Sequence, residues 1–215
     1  MITLTEVEVR VLGSLVEKEL TTPENYPLTL NSLLNACNQK TNREPVVAYD
    51  GITVGGALES LKVHGLVRTI MGGDSRVPKY QHYFGEAYGV NAAETAILDV
   101  MMLRGPQTLG ELRTRTERLY TFAESGDIEV VLEGLIARAD GALVMKLPRV
   151  IGQKETRYAH LLAGEPIIPD VEVTRKESAP STSERLLLLE DEVAALRQEF
   201  AELQAQFVDF RRQFE

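Results

Sequence analysis

The sequence predicts a mainly α-helical chain with small β hairpins (α+β), in which two similar domains precede a long C-terminal helix. Three patterns support this prediction: helices followed by a hairpin in residues 5–84, a second copy of that order, and a heptad repeat near the end of the chain. The composition, with 44% hydrophobic and 26% charged residues, is typical of a globular protein. We therefore expect packed domains with hydrophobic cores.

The first predicted domain covers residues 1–85. A helix over residues 5–20 starts at a capping box, in which Thr5 and Glu8 each satisfy an amide of the first turn. Apolar residues recur at helical spacing in residues 28–37 and 53–64 and predict two more helices. Strands over 67–70 and 79–84 then flank a glycine-containing turn. This order is the pattern of a winged helix-turn-helix.

A second copy of the pattern covers residues 86–165. Residues 58–61 read LESL and match LEGL at 132–135, an offset of 74, while Leu12 aligns with Leu98 at an offset of 86. The difference, 86 − 74 = 12 residues, predicts shorter loops in the second copy. Capping residues Asn91 and Thr108 begin its first two helices, and residues 127–138 form the third. Strands are expected over 142–147 and 156–161, so we interpret the chain as a tandem duplication.

The C-terminal part consists of a predicted linker, residues 166–183, and a predicted coiled-coil helix, residues 184–215. Large apolar residues alternate by three and four positions along that helix, which is a heptad pattern. Such a seam favours a homodimer or pairing with a partner helix, and the alternative is that it folds back onto its own domains. The candidate dimerisation residues are Leu186, Leu189, Val193, Leu196, Phe200, Leu203, Phe207, Phe210 and Phe214.

The charge and cysteine content limit the class of protein. The net charge is −9, and residues 181–215 carry eight acidic and four basic side chains. This balance argues against indiscriminate coating of nucleic acid. We find no apolar run long enough to span a membrane and no export signal, and we expect a cytoplasmic location. The single cysteine, Cys37, falls on a predicted buried face and is interpreted as a packed thiol.

The segment around residue 40 is the most distinctive in the chain. Residues 35–45 read NACNQKTNREP, preceded by YPLT at 26–29 and by Ser32 and Leu33. This stretch resembles the signature of the YceH-like family of uncharacterised bacterial proteins, over residues 1 to about 165. The resemblance implies a tandem winged-helix fold in a bacterial cytoplasmic protein. It implies no reaction, ligand or catalytic residue.

DNA is a candidate partner, because the third helix of a helix-turn-helix enters the major groove and flanking cations hold phosphates. In the first domain the outward residues of that helix are expected to be Thr53, Gly56, Glu59, Ser60, Lys62 and Val63. The candidate DNA-binding residues are Asn38, Gln39, Lys40, Asn42, Arg43, Thr53, Ser60, Lys62, Arg76, Lys79, Arg149 and Lys154. The alternative is that the asparagine-rich segment only shapes a long turn through side-chain-to-backbone hydrogen bonds.

Nothing in the sequence favours an enzyme, a cofactor or a metal site. His64, His82 and His160 are scattered and lack metal-ligand spacing. Two functions stay open. The first is a DNA-binding protein, either a transcriptional regulator or chromosome-associated, dimerised by its C-terminal helix. The alternative is an acidic winged-helix module that binds other proteins in a larger complex without reading DNA.

Overall fold

The computed structural model describes residues 2–71, 77–123, 127–149 and 155–166. These residues belong to one compact unit, 1–167. The predicted linker from residue 167 onward, the coiled-coil helix and the tips of both predicted hairpins lie outside the described residues. Among the described residues, no helix has the length and hydrophobicity that crossing a membrane requires.

The described residues of the first half form four α-helices and three strands. A 3-10 turn at Pro23–Asn25 joins the first helix to the first strand. The elements are α1 (Glu6–Thr21), β1 (Leu28–Thr29), α2 (Leu30–Cys37), α3 (Gly51–Val63), β2 (Val67–Ile70), β3 (Lys79–His82) and α4 (Phe84–Tyr88). Strand β3 lies between β1 and β2, and both pairings are antiparallel.

The second half repeats this order apart from the short helix α4. Its elements are α5 (Ala92–Arg104), β4 (Gln107–Thr108), α6 (Leu109–Thr116), α7 (Asp127–Ile136), β5 (Val144–Lys146) and β6 (Arg157–His160). Strand β6 lies between β4 and β5, again with antiparallel pairing. The structure therefore confirms the α+β class, with two small antiparallel sheets. The boundary at residue 85 stays a prediction.

The predicted helix starts are confirmed by their caps. The side chains of Thr5, Asn91 and Thr108 each accept a hydrogen bond from the amide three residues later. At all three caps the carboxylate of the glutamate at that position accepts a hydrogen bond from the backbone amide of the cap residue. Local chemistry alone specifies these boundaries, which is why the sequence could predict them.

The structure corrects the prediction at the edges of the sheets. Strands β1 and β4 are two residues each, too short for an alternating pattern to be recognised. The strand predicted to continue to Phe84 ends at His82, and Phe84 begins α4 instead. The amide of Phe84 is hydrogen-bonded to Nδ1 of His82, so it does not continue the ladder.

Helices α1 and α5 form the centre of the core. Every residue of α1 from Glu8 to Glu17 is buried. The reason is that α1 packs against α2, α3 and α5 at once. A Cβ placed on Gly13 would lie 3.0 Å from Cδ2 of Leu103 and 3.1 Å from Cβ of Met102, so glycine allows α1 and α5 to approach closely.

Candidate interaction surfaces

The signature segment forms a long turn between α2 and α3 that is held by its own side chains. Asn38 clamps the far end of the turn, because its Nδ2 donates to the carbonyl of Tyr49 and its Oδ1 accepts from the Tyr49 amide, both at 2.8 Å. Arg10 of α1 donates to the carbonyls of Cys37 and Pro45, at 3.3 and 2.8 Å. These contacts are the side-chain-to-backbone bonds of the alternative interpretation.

Arg43 does not fit the prediction that it contacts DNA. Its side chain has no exposed surface, and its Nη2 lies 2.5 Å from Oε2 of Glu17. The guanidinium also donates twice to the carbonyl of Ala36, from Nε at 3.1 Å and from Nη2 at 2.9 Å. A buried and saturated guanidinium cannot reach a phosphate without unfolding the turn, so Arg43 has to be corrected to a core residue.

The segment also ties the first half of the fold to the second. The side-chain oxygen of Asn42 accepts a hydrogen bond from Nη2 of Arg104, at the end of α5. The amide of Glu44 donates to the carbonyl of Leu103 at 2.9 Å. Arg118, which follows α6, pairs with the remaining oxygen of Glu17. The side-chain oxygen of Asn42 is therefore engaged within the molecule, and the DNA contact of Asn42 stays a prediction.

The carboxyl groups of Glu17 and Asp99 are both buried where the first half of the fold meets the second. Burial alone would raise the pKa of Glu17, but Arg43 and Arg118 hold that pKa below its usual value. Among the described residues, neither carboxyl oxygen of Asp99 in α5 has a hydrogen-bond partner. Burial raises its pKa well above the usual value, and the negative charge of Glu17 raises it further. The surroundings therefore favour the neutral form of Asp99, whereas the two arginines favour the ionised form of Glu17.

The outer face of α3 is defined by Ile52, Gly56, Glu59 and Val63, which recur at spacings of four, three and four residues. These spacings place all four on one side of a helix. Ile52 and Val63 are 87% and 86% exposed, which is unusual for large aliphatic side chains. The charges on or beside this face are Glu59 and Lys62, whose ion pair is 2.7 Å long. The outer face of α3 is thus mainly apolar.

The predicted outward residues Thr53, Ser60 and Lys62 are only partly exposed. The side chain of Ser60 is hydrogen-bonded to Glu8, and the amide of Thr53 donates to the capping Asp50. These positions flank the buried stripe of α3, whereas the outer face of α3 lies opposite that stripe. The prediction had placed them on the exposed side and had omitted Ile52.

Helix α7 presents an equivalent face. At the sequence offset of 74, Gly56, Glu59 and Val63 correspond to Val130, Glu133 and Ala137, all of which are exposed. Val130 is 68% exposed. Each third helix therefore presents a glutamate between small or aliphatic residues, and neither face carries a basic residue at these three positions.

The other predicted site residues lie in a groove beside α2, at separate exposed positions, or outside the described residues. Gln39 and Lys79 line one open groove of about 460 Å³ beside α2, together with Lys18. Lys40 and Arg149 are exposed elsewhere, and Nε of Arg149 donates to Oγ1 of Thr156. Arg76 and Lys154 lie outside the described residues. Among the candidates that the structure describes, Gln39 and Lys79 line the same groove.

The described histidines and the cysteine offer no assembled chemical site. Among the residues that the structure describes, no group of three or more His, Cys, Asp or Glu side chains could hold a metal ion. Burial lowers the pKa of His160 to about 4, so this imidazole is neutral at physiological pH. Burial raises the pKa of Cys37, a free and buried thiol, and therefore disfavours the reactive thiolate.

Comparison with known proteins places this fold in a family. Residues 4–153 match the model of a family described as a protein of unknown function, DUF480. The chain belongs to this family. Over the full chain it is 51% identical to a UPF0502 protein of Geobacter sulfurreducens, covering 99% of that relative. It is 52% identical to a UPF0502 protein of Geotalea daltonii with the same coverage, and 49% identical over 91% of the chain to one of Vibrio atlanticus, covering 93% of it.

Membership of the DUF480 family confirms the resemblance drawn from the signature, and it assigns no function. Sequence reasoning missed three surface residues that the structure brings forward: Ile52, Lys18 and Arg104. Ile52 could have been found, because it lies four residues before Gly56 on the outer face of α3. Lys18 and Arg104 carry no local signal, since their neighbours come from distant parts of the chain.

Proposed function

We propose that this DUF480 protein is a non-enzymatic tandem winged helix-turn-helix protein that binds another protein through the outer face of α3. The repeated order of elements, with the last strand between the other two in each sheet, supports the winged-helix assignment. One observation carries the function: Ile52 and Val63 expose more than four-fifths of their surface on a single helix face.

Physical chemistry favours a protein partner over DNA at this face. A phosphate backbone requires cations, and the described outer face of α3 offers Glu59 at its centre, with the neighbouring Lys62 already paired to it. Exposed aliphatic residues gain free energy when a partner covers them. The complementary partner is an apolar helix or sheet face with a basic residue opposite Glu59.

The test is capture from nuclease-treated lysate with the intact protein and with the double variant Ile52→Asp, Val63→Asp. A matched control is Thr114→Asp, which introduces the same residue at another exposed helix position. We expect a partner that is retained by the wild type and the control and lost by the double variant. Identical capture by all three proteins would refute docking at this face.

DNA binding is the second candidate, favoured by the groove in which Gln39, Lys18 and Lys79 meet beside α2. Cations and amides of this kind can hold phosphates and base edges. A gel-shift assay on genomic fragments at low salt, with Lys18 and Lys79 changed to alanine, tests this candidate. Weaker binding by the double variant supports it, and equal binding by both proteins counts against it.

We also propose that the heptad residues 186–214 pair two copies of the chain. Two-fold pairing would present two outer faces of α3 to one partner assembly and raise the effective concentration of the second contact. The cytoplasm is the compartment proposed for this assembly, because the one thiol, Cys37, is free and buried.

A further inference from the structure

Three arginines of the second half meet where α5 and α6 end. Arg104 is in the last turn of α5, Arg115 is in the last turn of α6, and Arg118 follows α6. Burial and the positive charges of Arg115 and Arg118 lower the pKa of Arg104, so both of these guanidinium groups repel that of Arg104. We call these three residues the junction arginines.

Two of the junction arginines are held by neutral amides. Nη2 of Arg104 donates to Oδ1 of Asn42, and Nη1 of Arg115 donates to Oε1 of Gln107. Gln107 is 1% exposed, and its Nε2 donates to the carbonyls of residues 104, 105 and 106 at 3.0–3.2 Å. The amides therefore fix the direction of both guanidinium groups without neutralising their charge.

The carboxylates near the junction arginines are too few to neutralise the positive charge there. Glu17 is shared between Arg118 and the buried Arg43. Glu111 lies 3.4 Å from Arg115 but is also 3.5 Å from Arg157, and Glu44 raises the pKa of Arg104. Three carboxylates thus face five guanidinium groups. The side chains of Arg115 and Arg118 are 28% and 40% exposed, so solvent and ligands can reach them.

We propose that the junction arginines bind phosphate groups, from a phosphorylated small molecule or from a nucleic-acid backbone. Planar guanidinium donors match the oxygens of a phosphate in pairs, and orientation before binding reduces the entropic cost. A phosphate here would relieve the mutual repulsion of the junction arginines. This inference is independent of protein docking, because the outer face of α3 contributes no residue to it.

The test measures binding of two probes to the full chain: inorganic pyrophosphate by calorimetry, and a short fluorescein-labelled DNA duplex by anisotropy. The first variant is the double change Arg104→Gln, Arg115→Gln, for which we expect affinity to fall by about tenfold or more. The control is Arg68→Gln, which removes an exposed guanidinium that lies over the ring of Tyr83. It should bind both probes as the wild type does.

A second variant separates binding from folding. Basic residues near a helix end also stabilise the helix, so the double variant alone could act through stability. Asn42→Asp instead places a carboxylate on Arg104 and beside Arg43, which keeps an acceptor for the Arg104 hydrogen bond while reducing the positive charge of the site. We expect it to melt no lower than the wild type and to bind the probe more weakly.

The outcomes are distinct. Loss of pyrophosphate binding in both variants supports a small phosphorylated ligand. Loss of duplex binding alone supports a nucleic-acid backbone, and the duplex affinity of the variants should then depend less steeply on salt. The proposal is overturned if the wild type binds neither probe, or if both variants bind as the wild type does.

Discussion

Arg43 and Glu17 form an ion pair in which neither side chain has exposed surface, although 26 residues separate them in the sequence. The pair joins the signature segment to α1, and Arg118 extends it to the second half of the fold. This arrangement explains why the most distinctive stretch of the sequence is so rich in polar residues: part of its chemistry faces inward.

Removal of Arg43 should strongly destabilise the protein. Arg43→Ala leaves Glu17 buried with Arg118 and the more distant Lys18, at 3.7 Å, as its partners. Losing one member of a buried pair costs about 3–5 kcal/mol. Lys62→Ala breaks a more exposed pair with Glu59 and should cost less than about 1 kcal/mol. The free energy of unfolding in urea measures both changes. Equal values would contradict a structural role for the buried pair.

The pH dependence of stability should change when Asp99 is replaced. Because the pKa of Asp99 is higher in the folded state than its ordinary value of 3.8, its contribution is fully present at low pH and is lost as pH rises through the folded value. Asp99→Asn lacks this loss, so its stability relative to the wild type should increase as pH rises from about 4 toward neutrality.

Asp140→Asn provides the control for that titration. Asp140 is exposed, and its hydrogen bond with Arg138 lowers its pKa. The stability of Asp140→Asn relative to the wild type should therefore not increase over the same pH range, and any change should be a decrease. Urea unfolding at several pH values measures both differences in free energy. Parallel curves for the two variants would contradict the raised pKa of Asp99.

The outer face of α3 should contribute little to stability. Ile52→Asp and Val63→Asp alter exposed side chains, and each should change the free energy of unfolding by less than about 1 kcal/mol. Leu58→Ala, at a position 1% exposed on the same helix, should cost about 2–5 kcal/mol. Thermal denaturation distinguishes the two classes. A large loss at Ile52 would mean that this residue already has a packing role.

Two helical glycines should respond oppositely to added side-chain atoms. Gly13→Val should destabilise by about 1–3 kcal/mol, because Leu103 and Met102 leave no room for a side chain. Gly56→Ala should stabilise by about 0.5–1 kcal/mol, since nothing lies within 4 Å of the new Cβ and alanine favours a helix. Chemical denaturation of both variants checks the signs. A tolerated valine at position 13 would refute the tight contact of α1 with α5.

The heptad segment should determine the oligomeric state. Leu196→Asp combined with Phe200→Asp places charges on the predicted seam and should convert a dimer to a monomer. Gln198→Asp adds the same residue away from the seam and should leave the mass unchanged. Light scattering of the full chain gives the masses, and the dimer proposal fails if the seam variant keeps the wild-type mass.

Residues whose roles depend on near neighbours were predictable. The caps at Thr5, Asn91 and Thr108 involve partners only three residues away, and the buried positions Leu58 and Leu61 follow helical spacing. The surroundings of the candidate DNA-binding residues were harder to predict. Arg43 reads as an exposed cation in the sequence, since its partner Glu17 belongs to another helix, and only Gln39 and Lys79 reach a common groove.

The sequence by itself determined the capped starts of α1, α5 and α6, the repeated order of helices and strands, and the family, because capping, periodicity and the signature are all local. The tertiary structure decided which polar residues are available to a partner. Packing of α1 against α2, α3 and α5 buries Glu17 and Arg43, and packing at the junction brings Arg104 beside Asn42. Availability depends on contacts between distant segments, and no local pattern encodes those contacts.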